Sequence, residues 1–468
     1  MRAVLGPPGV EVLGDSLTRK TSRKRYNSFG MSHPPRRPAS ACLVLLALAA
    51  LACSAPFLVP DPTPPPGRGL IAYLGPDGNV YAFDPDAPEP FPITTDAQPE
   101  FGSEAGITLY RAPTWSPDGR RLAFVTIRAG TESDGAALLV SEPGSANPAD
   151  LREIFSSETQ TPFYLYWAPD SASLTFLGSS PNNANLAMLQ AFPDGTEARL
   201  LDTGQPYYWN WSPDSARILV HEGGARPANP GARLSLLDPN AGETVLLGSA
   251  PGGFQAPAWA PDGETFLAVV GTDGTADELV RFNRDGTRLD ALLEVDGLTA
   301  FNWSPDGARI AVHSTTQATA PFGPLLVLDP GTGEIQWRSL DRFAIAYFWS
   351  PDGKRLAYFH LEEDAGFDAL ARPVRQESEP QLSLSVLEVE TGQVRRLAQF
   401  VPTAGFLEIV PFFDQYHHSL TIWSPDSTQL VFTGVDENGT ASVYLVPADG
   451  SSPPERMIDG ELALWSWR

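Results

Sequence analysis

WSPDG, residues Trp115 to Gly119, is written six more times with small changes, beginning at Trp167, Trp211, Trp259, Trp303, Trp349 and Trp423. Successive tryptophans are 52, 44, 48, 44, 46 and 74 residues apart, and a further 42 leads to Trp465 in LALWSWR. Ser or Ala followed by Pro and Asp suits a type I turn, because Pro presets the first backbone angle and Asp bonds nearby amides. Gly then accepts the left-handed conformation that closes a hairpin. Ser replaces it at Ser171, Ser215 and Ser427, so those three copies are expected to turn slightly differently. A large flat Trp ending the strand before each turn is suited to a wedge between neighbouring sheets.

Around each turn the order of short runs is constant. The unit at Trp303 reads LTAFNW, SPDG, ARIAVHS, a loop, PLLVLD, PGTG and EIQWRSL. These are four β-rich runs separated by Gly, Pro and Asp, with no helical periodicity anywhere in the repeats. A period of about 40–50 residues is that of a four-stranded propeller blade. The expected fold class is therefore all-β, a β-propeller of four-stranded blades. The first runs, GLIAYLG, NVYAFDP and PFPITT, lack an inner strand, and the terminal ELALWSWR supplies one without a successor. Joining them gives eight blades, with one shared between the N- and C-terminal strands and no exposed edge at the closure. Seven blades is the alternative.

Repeated W-[SA]-P-D-[GS] followed by a strand such as RLAF resembles the TolB-like β-propeller repeats of bacterial envelope proteins, also found in the propellers of prolyl-oligopeptidase-type enzymes. The resemblance covers residues 69–468 and concerns fold, since one fold hosts many functions. TolB itself carries an extra N-terminal α/β domain, which is not expected here, so a role in the Tol–Pal system is not implied. The peptidases add an α/β catalytic domain, which this reading does not expect here.

The N-terminal region reads as an address. Residues 41–52, ACLVLLALAALA, form an apolar run behind Arg36 and Arg37. Twelve helical residues span about 18 Å, short of the ~30 Å membrane core, which suits a secretory signal. Ala52 followed by Cys53 resembles the lipobox of bacterial lipoproteins, with Ala50 where Leu is usual. That resemblance implies signal removal and diacylation of Cys53. Residues 1–52 are thus expected to be leader and signal peptide, with Met31 a better start. Residues 53–68 form a proline-rich tether. The expected location is the bacterial cell envelope, membrane-anchored through the lipid.

Eight basic and two acidic residues precede Cys53, which leaves 24 basic against 54 acidic in the remainder. Phosphate contacts need clustered Lys and Arg, so nucleic acid is not an expected partner. Cys42 and Cys53 are the two cysteines, and they provide neither a disulfide framework nor a zinc site.

Chemistry is sparse. No G-x-S-x-G elbow, H-E-x-x-H motif or phosphate-binding glycine loop is present. His221, His313 and His360 fall on equivalent or nearly equivalent strand positions, which a ring distributes and does not converge. LDPGTGEIQW (328–337) resembles a quinone-dehydrogenase repeat but occurs once. GTDGTADE (271–278) and VDENG (435–439) lack the spacing of a calcium loop. No cofactor, no metal and no enzyme activity are expected.

The break from the mid-forties to 74 places two insertions in one region. They are 361–381, containing Glu362 and Glu363, and 401–419, containing Phe406, Phe412, Phe413, Tyr416, His417 and His418. Both belong to loops on the face opposite the WSPDG turns, and long loops on a rigid scaffold carry binding. The second reads as a lid over the propeller mouth or a partner-docking patch. Phe163, Tyr164, Tyr166, Tyr207, Tyr208 and Trp209 form a second aromatic cluster, read mainly as packing. The functional expectation is a monomeric, non-catalytic, lipid-anchored interaction scaffold with a protein partner in the envelope. The alternative is a propeller that binds or senses a peptide or glycan.

Overall fold

In the computed structural model the described residues are 69–468, apart from 100–105, 131–133, 146, 148, 180–184, 226–227, 254–255, 273–275, 315–322, 341–343 and 362–380. Cys53, the tether, Glu362 and Glu363 lie outside them. The fold is an all-β propeller. It has six four-stranded antiparallel sheets and one of seven strands. The seven-stranded sheet spans two sequence repeats, those of Trp349 and Trp423. Its halves join where Val401 pairs with Val435 and Pro402 with Gly434.

Closure occurs as the unmatched terminal runs require. The strand Leu462–Trp465 pairs antiparallel with Ile71–Leu74, with Ile71 opposite Trp465 and Leu74 opposite Leu462. The N- and C-terminal strands therefore share one sheet, and neither leaves an open edge at that place.

The hydrophobic core is distributed between the sheets. One cluster joins Val125, Leu138 and Ile154 of the Trp115 unit to Leu165, Trp167 and Phe176 of the next. Another joins Leu219 and Leu234 to Trp259 and Phe266. The repeated tryptophans are wedges, as their position before the turn suggests. Trp115 is 1% exposed. An aromatic of this size removes about 150–250 Å² from water, on the order of 4–6 kcal/mol before ordering costs.

Several of their indole N–H groups also latch a unit to the one before. Trp115 donates to Leu464 O, Trp167 to Thr114 O and Trp423 to Phe348 O, at 3.2, 3.2 and 3.0 Å. Each acceptor is the residue just before the preceding unit's Trp. Trp349 donates to the side chain of Asn302 at 3.1 Å, the same position in its neighbour. The indole nitrogens of Trp259, Trp303 and Trp465 are buried with no partner among the described atoms.

Each turn is closed from within. Ser116 Oγ donates to Asp118 Oδ1 at 2.6 Å and accepts from Arg121 N–H at 2.9 Å. Gly119 sits at φ +71°. Ser171, Ser215 and Ser427 adopt φ of +60°, +58° and +63°, so these copies keep the same left-handed turn, contrary to the expected difference. A hydrogen bond across the sheet boundary accompanies the strain: each Ser Oγ accepts the backbone N–H of the preceding unit's turn Asp.

Candidate functional site

The insertion after the Trp349 unit is folded, and it contains helix that the sequence reading did not anticipate. Thr403 caps the helix Ala404–Ile409, accepting Phe406 N–H at 3.3 Å. A 3₁₀ turn Val410–Phe412 and a short helix Phe413–Tyr416 follow. Phe406, Val410 and Phe413, four and then three residues apart, are all buried. That spacing is one helical face, and it was the readable signal for the helix. Phe406 packs on Phe359 at 5.0 Å between ring centroids, and Phe413 on Tyr347 at 5.0 Å.

The tip of the segment reaches strands far away in sequence. Tyr416 meets Tyr164 at 5.1 Å, and His418 stacks on Tyr166 at 4.7 Å with the rings 6° from parallel. Asn210 Nδ2 donates to His418 Nε2 at 2.7 Å. Ser419 Oγ donates to Leu165 O, and Thr421 Oγ1 to Trp465 O. These partners lie on the Trp-bearing strands of the Trp167, Trp211, Trp349 and Trp465 units. Such strands line the centre of a propeller, so the segment crosses the ring as a plug. The aromatic cluster around Tyr164 and Trp209 is the wall against which this plug packs.

The plug carries half-buried titratable groups. Asp414 accepts the backbone N–H groups of Ala256 and Gln415, yet burial pushes its carboxyl up to about 6. Its charge adds to the burial that raises the phenols of Tyr164, Tyr208 and Tyr347. His417 Nδ1 donates to Asp414 O at 2.9 Å, while its Nε2 has no partner among the described atoms. Burial lowers His417 to about 4, and burial together with His417 lowers His418 further. Both imidazoles are therefore neutral near pH 7. Among the described residues no three His, Cys, Asp or Glu side chains are grouped to hold a metal.

Of the expected site residues, Phe406, Phe413, Tyr416, His417 and His418 come together in the plug. Phe412 instead points outward, 48% exposed, beside Leu407 at 41%. The strand histidines make contacts within their own units. His313 Nε2 accepts Gly323 N–H at 3.0 Å, and His360 Nε2 lies 3.0 Å from Ser385 Oγ. Asp436 of the VDENG loop accepts the amides of Asn438 and Thr440 and so closes its own turn.

A cavity of about 240 Å³ lies on the other side of the plug. Its walls are the Trp and Pro of four consecutive turns: Trp259 and Pro261, Trp303 and Pro305, Trp349 and Pro351, Trp423 and Pro425. Trp467, where a fifth copy would have proline, completes the arc, and His417, His418 and Leu420 line its inner side. Among the described residues, no Asp, Glu, Lys or Arg lines it. The repeat turns thus build a concave aromatic surface on their own face, where the sequence reading sought only scaffold. The signal was Trp467 in WSWR, a tryptophan replacing the turn proline.

No protein-family model matches the chain, and no curated protein matches its sequence. Solved structures do resemble it. TolB from Acinetobacter baumannii is 14% identical over 77% of this chain and 82% of its own, with a TM-score of 0.36. An oligogalacturonate lyase from Vibrio parahaemolyticus is 14% identical over 81% and 97%, with a TM-score of 0.47. A eukaryotic initiation factor is 11% identical over 85% and 98%, with a TM-score of 0.50. At these identities the likeness is one of fold, the β-propeller.

Proposed function

We propose that this chain is a non-catalytic cell-envelope propeller that binds a peptide or glycan ligand in the cavity of its WSPDG face. In this reading a lipid on Cys53 holds it to the membrane. The observation that carries the reading is the lining: two positions of one repeated turn, four times over, plus Trp467. Indole and proline rings offer flat apolar faces to other rings, and uncharged walls favour a ligand without a strong charge. A volume below the ~300–1,000 Å³ of drug-sized sites suits one or two rings at a time. The scaffold reading needs an apolar docking patch on the insertion. Burial of Phe406 and Phe413 leaves Leu407 and Phe412 for that purpose, which supports it less.

The test is a titration of peptide and glycan panels followed by tryptophan fluorescence and calorimetry, with Trp303→Ala beside the wild type. Binding that weakens at least about tenfold in the variant, with unchanged circular dichroism, is expected. Equal affinity in both chains, or no binding by any probe, overturns the assignment. Mass spectrometry of membrane-extracted protein tests the anchor, since an unmodified Cys53 removes it.

A further inference from the structure

The walls of this cavity hold polar groups that the protein itself leaves unpaired, and the hydrogen-bond network fixes the character of three of them. Asn302 lines the cavity and is 9% exposed. Its Oδ1 accepts the indole N–H of Trp349, another lining residue, at 3.1 Å. An indole nitrogen can only donate, so Nδ2 is the other end of this amide. Its two N–H groups have no partner among the described atoms.

The two lining histidines are fixed in the same way. Asn210 Oδ1 accepts the backbone N–H of Trp259 at 2.7 Å, so Nδ2 is the end of Asn210 that donates. It donates to the Tyr166 hydroxyl at 3.0 Å and to His418 Nε2 at 2.7 Å. The lone pair of His418 is therefore on Nε2 and its proton on Nδ1, which has no partner among the described atoms. His417 is the opposite tautomer. Its Nδ1–H donates to the Asp414 carbonyl, which leaves the lone pair on an unpaired Nε2. The two rings lie 3.7 Å apart between centroids. One wall thus offers a donor and an acceptor on adjacent rings, and Asn302 adds a second, uncharged donor.

We infer that the cavity is a subsite for one ring of a neutral saccharide, stacked on the indoles and held through its hydroxyls by Asn302, His417 and His418. This rests on the reading of the cavity as the ligand site and names the class of ligand it takes. A pyranose has an apolar C–H face and a rim of hydroxyls, each of which both donates and accepts. Indole and proline rings match the face, and neutral donors beside an acceptor match the rim. A volume of about 240 Å³ encloses one such ring, whereas an extended peptide needs a groove along its backbone. An apolar side chain in the cavity would strip water from the three groups and leave them unpaired, which weakens binding. A uronate carboxylate would meet no counter-charge among the described lining residues.

The experiment uses the full chain, with calorimetry and tryptophan fluorescence as readouts. The probes are the methyl glycosides of glucose, galactose, mannose and N-acetylglucosamine, with glucuronic acid as the charged control. Asn302→Asp keeps an acceptor for the Trp349 indole and removes the free donor. His418→Phe keeps a ring against Tyr166 and removes the Nδ1 proton. At least one neutral glycoside is expected to bind the wild type, and about tenfold more weakly each variant of unchanged circular dichroism. A deoxy series on the best glycoside reads the same bonds without altering the protein, and about tenfold is expected to be lost at two or more positions. No binding by any neutral glycoside, equal affinity in both folded variants, a flat deoxy series or a preference for glucuronic acid overturns the inference. If a peptide binds and is weakened by Trp303→Ala while no glycoside binds, the ligand reading stands and this one falls. If a glycoside binds but neither Trp303→Ala nor the two wall variants weaken it, the cavity is not its site and both fall.

Discussion

The backbone N–H of Asp118 donates to Ser171 Oγ at 3.0 Å, joining two turns 53 residues apart. Asp170 with Ser215 and Asp352 with Ser427 repeat the bond at 3.0 and 3.1 Å. At these three positions a non-glycine residue is held at positive φ, which costs about 1–2 kcal/mol. One hydrogen bond returns about 0.5–1.5 kcal/mol, and an amide stripped of its partner costs more. Ser171→Ala keeps the strain and removes the acceptor, so it is expected to destabilise by about 1–2 kcal/mol. Ser171→Gly removes both, and its effect is expected to stay within about 1 kcal/mol of zero. Urea unfolding of the two variants checks the order. Alanine milder than glycine would mean that the positive φ carries no strain, and alanine as stable as the wild type would mean that the cross-turn bond contributes nothing.

The tryptophan latch gives a second comparison. Trp115 donates to Leu464 O beside the closing strands, whereas the Trp303 indole nitrogen has no partner among the described atoms. Trp115→Phe loses ring volume and the indole hydrogen bond, at an expected cost of about 2–4 kcal/mol. Trp303→Phe loses volume alone, from a less buried site, and is expected to cost about 1 kcal/mol. Thermal and urea unfolding measure both. Equal losses would show that the wedge volume matters and the latch does not.

These two relationships mark how far the sequence carries. The repeat spacing and the unmatched terminal runs gave the propeller and its closure, because a hairpin turn is a local property of five residues. The bond from Asp118 to Ser171 is not local, and Ser in place of Gly reads from sequence as a variant turn, not as a tie. The insertion at 401–419 was legible as an insertion and as apolar. Its direction was not, since Ser419 finds Leu165 254 residues away. Nothing in the segment encodes that distance; the ring brings the partner there. The cavity was missed because its walls are repeat positions, and repetition read as scaffold alone.

The plug's packing predicts a sharp contrast between adjacent phenylalanines. Phe413 is 6% exposed and packs edge-on against Tyr347, while Phe412 is 48% exposed. Phe413→Ala is expected to cost about 3–5 kcal/mol, in the range for a buried Phe truncated to Ala. Phe412→Ala is expected to stay within about 0.5 kcal/mol, as an exposed position does. Denaturant unfolding of each checks the burial. A large loss at Phe412 would mean that the exposed side of the segment is covered by a partner or a second copy.

The half-buried acid and imidazoles of the plug oppose one another in their pH dependence. Asp414 has its folded-state pKa raised from 3.8 to about 6, so between those values the native state holds more protons than the unfolded chain. Its contribution to stability therefore falls as pH rises through that window and stays low above it. His417 is lowered from 6.5 to about 4 and His313 likewise, with His418 shifted in the same direction. For these groups the unfolded chain holds more protons, so stability is lost as pH falls from 6.5 toward 4. In the wild type the two slopes partly cancel between pH 4 and 6, with the histidines prevailing. Asp414→Asn keeps an oxygen for the Ala256 and Gln415 amides but removes the carboxylate's slope. At one pKa unit per about 1.4 kcal/mol, the variant is expected to be more stable than wild type at pH 7 by up to about 3 kcal/mol. Its melting temperature should then fall more steeply than that of the wild type between pH 6 and 4, until the two converge near pH 4. Melting curves by circular dichroism across pH 4–8 decide it. Parallel curves for the two chains would mean that Asp414 is not held away from solvent, and with that the plug would not be seated in the ring.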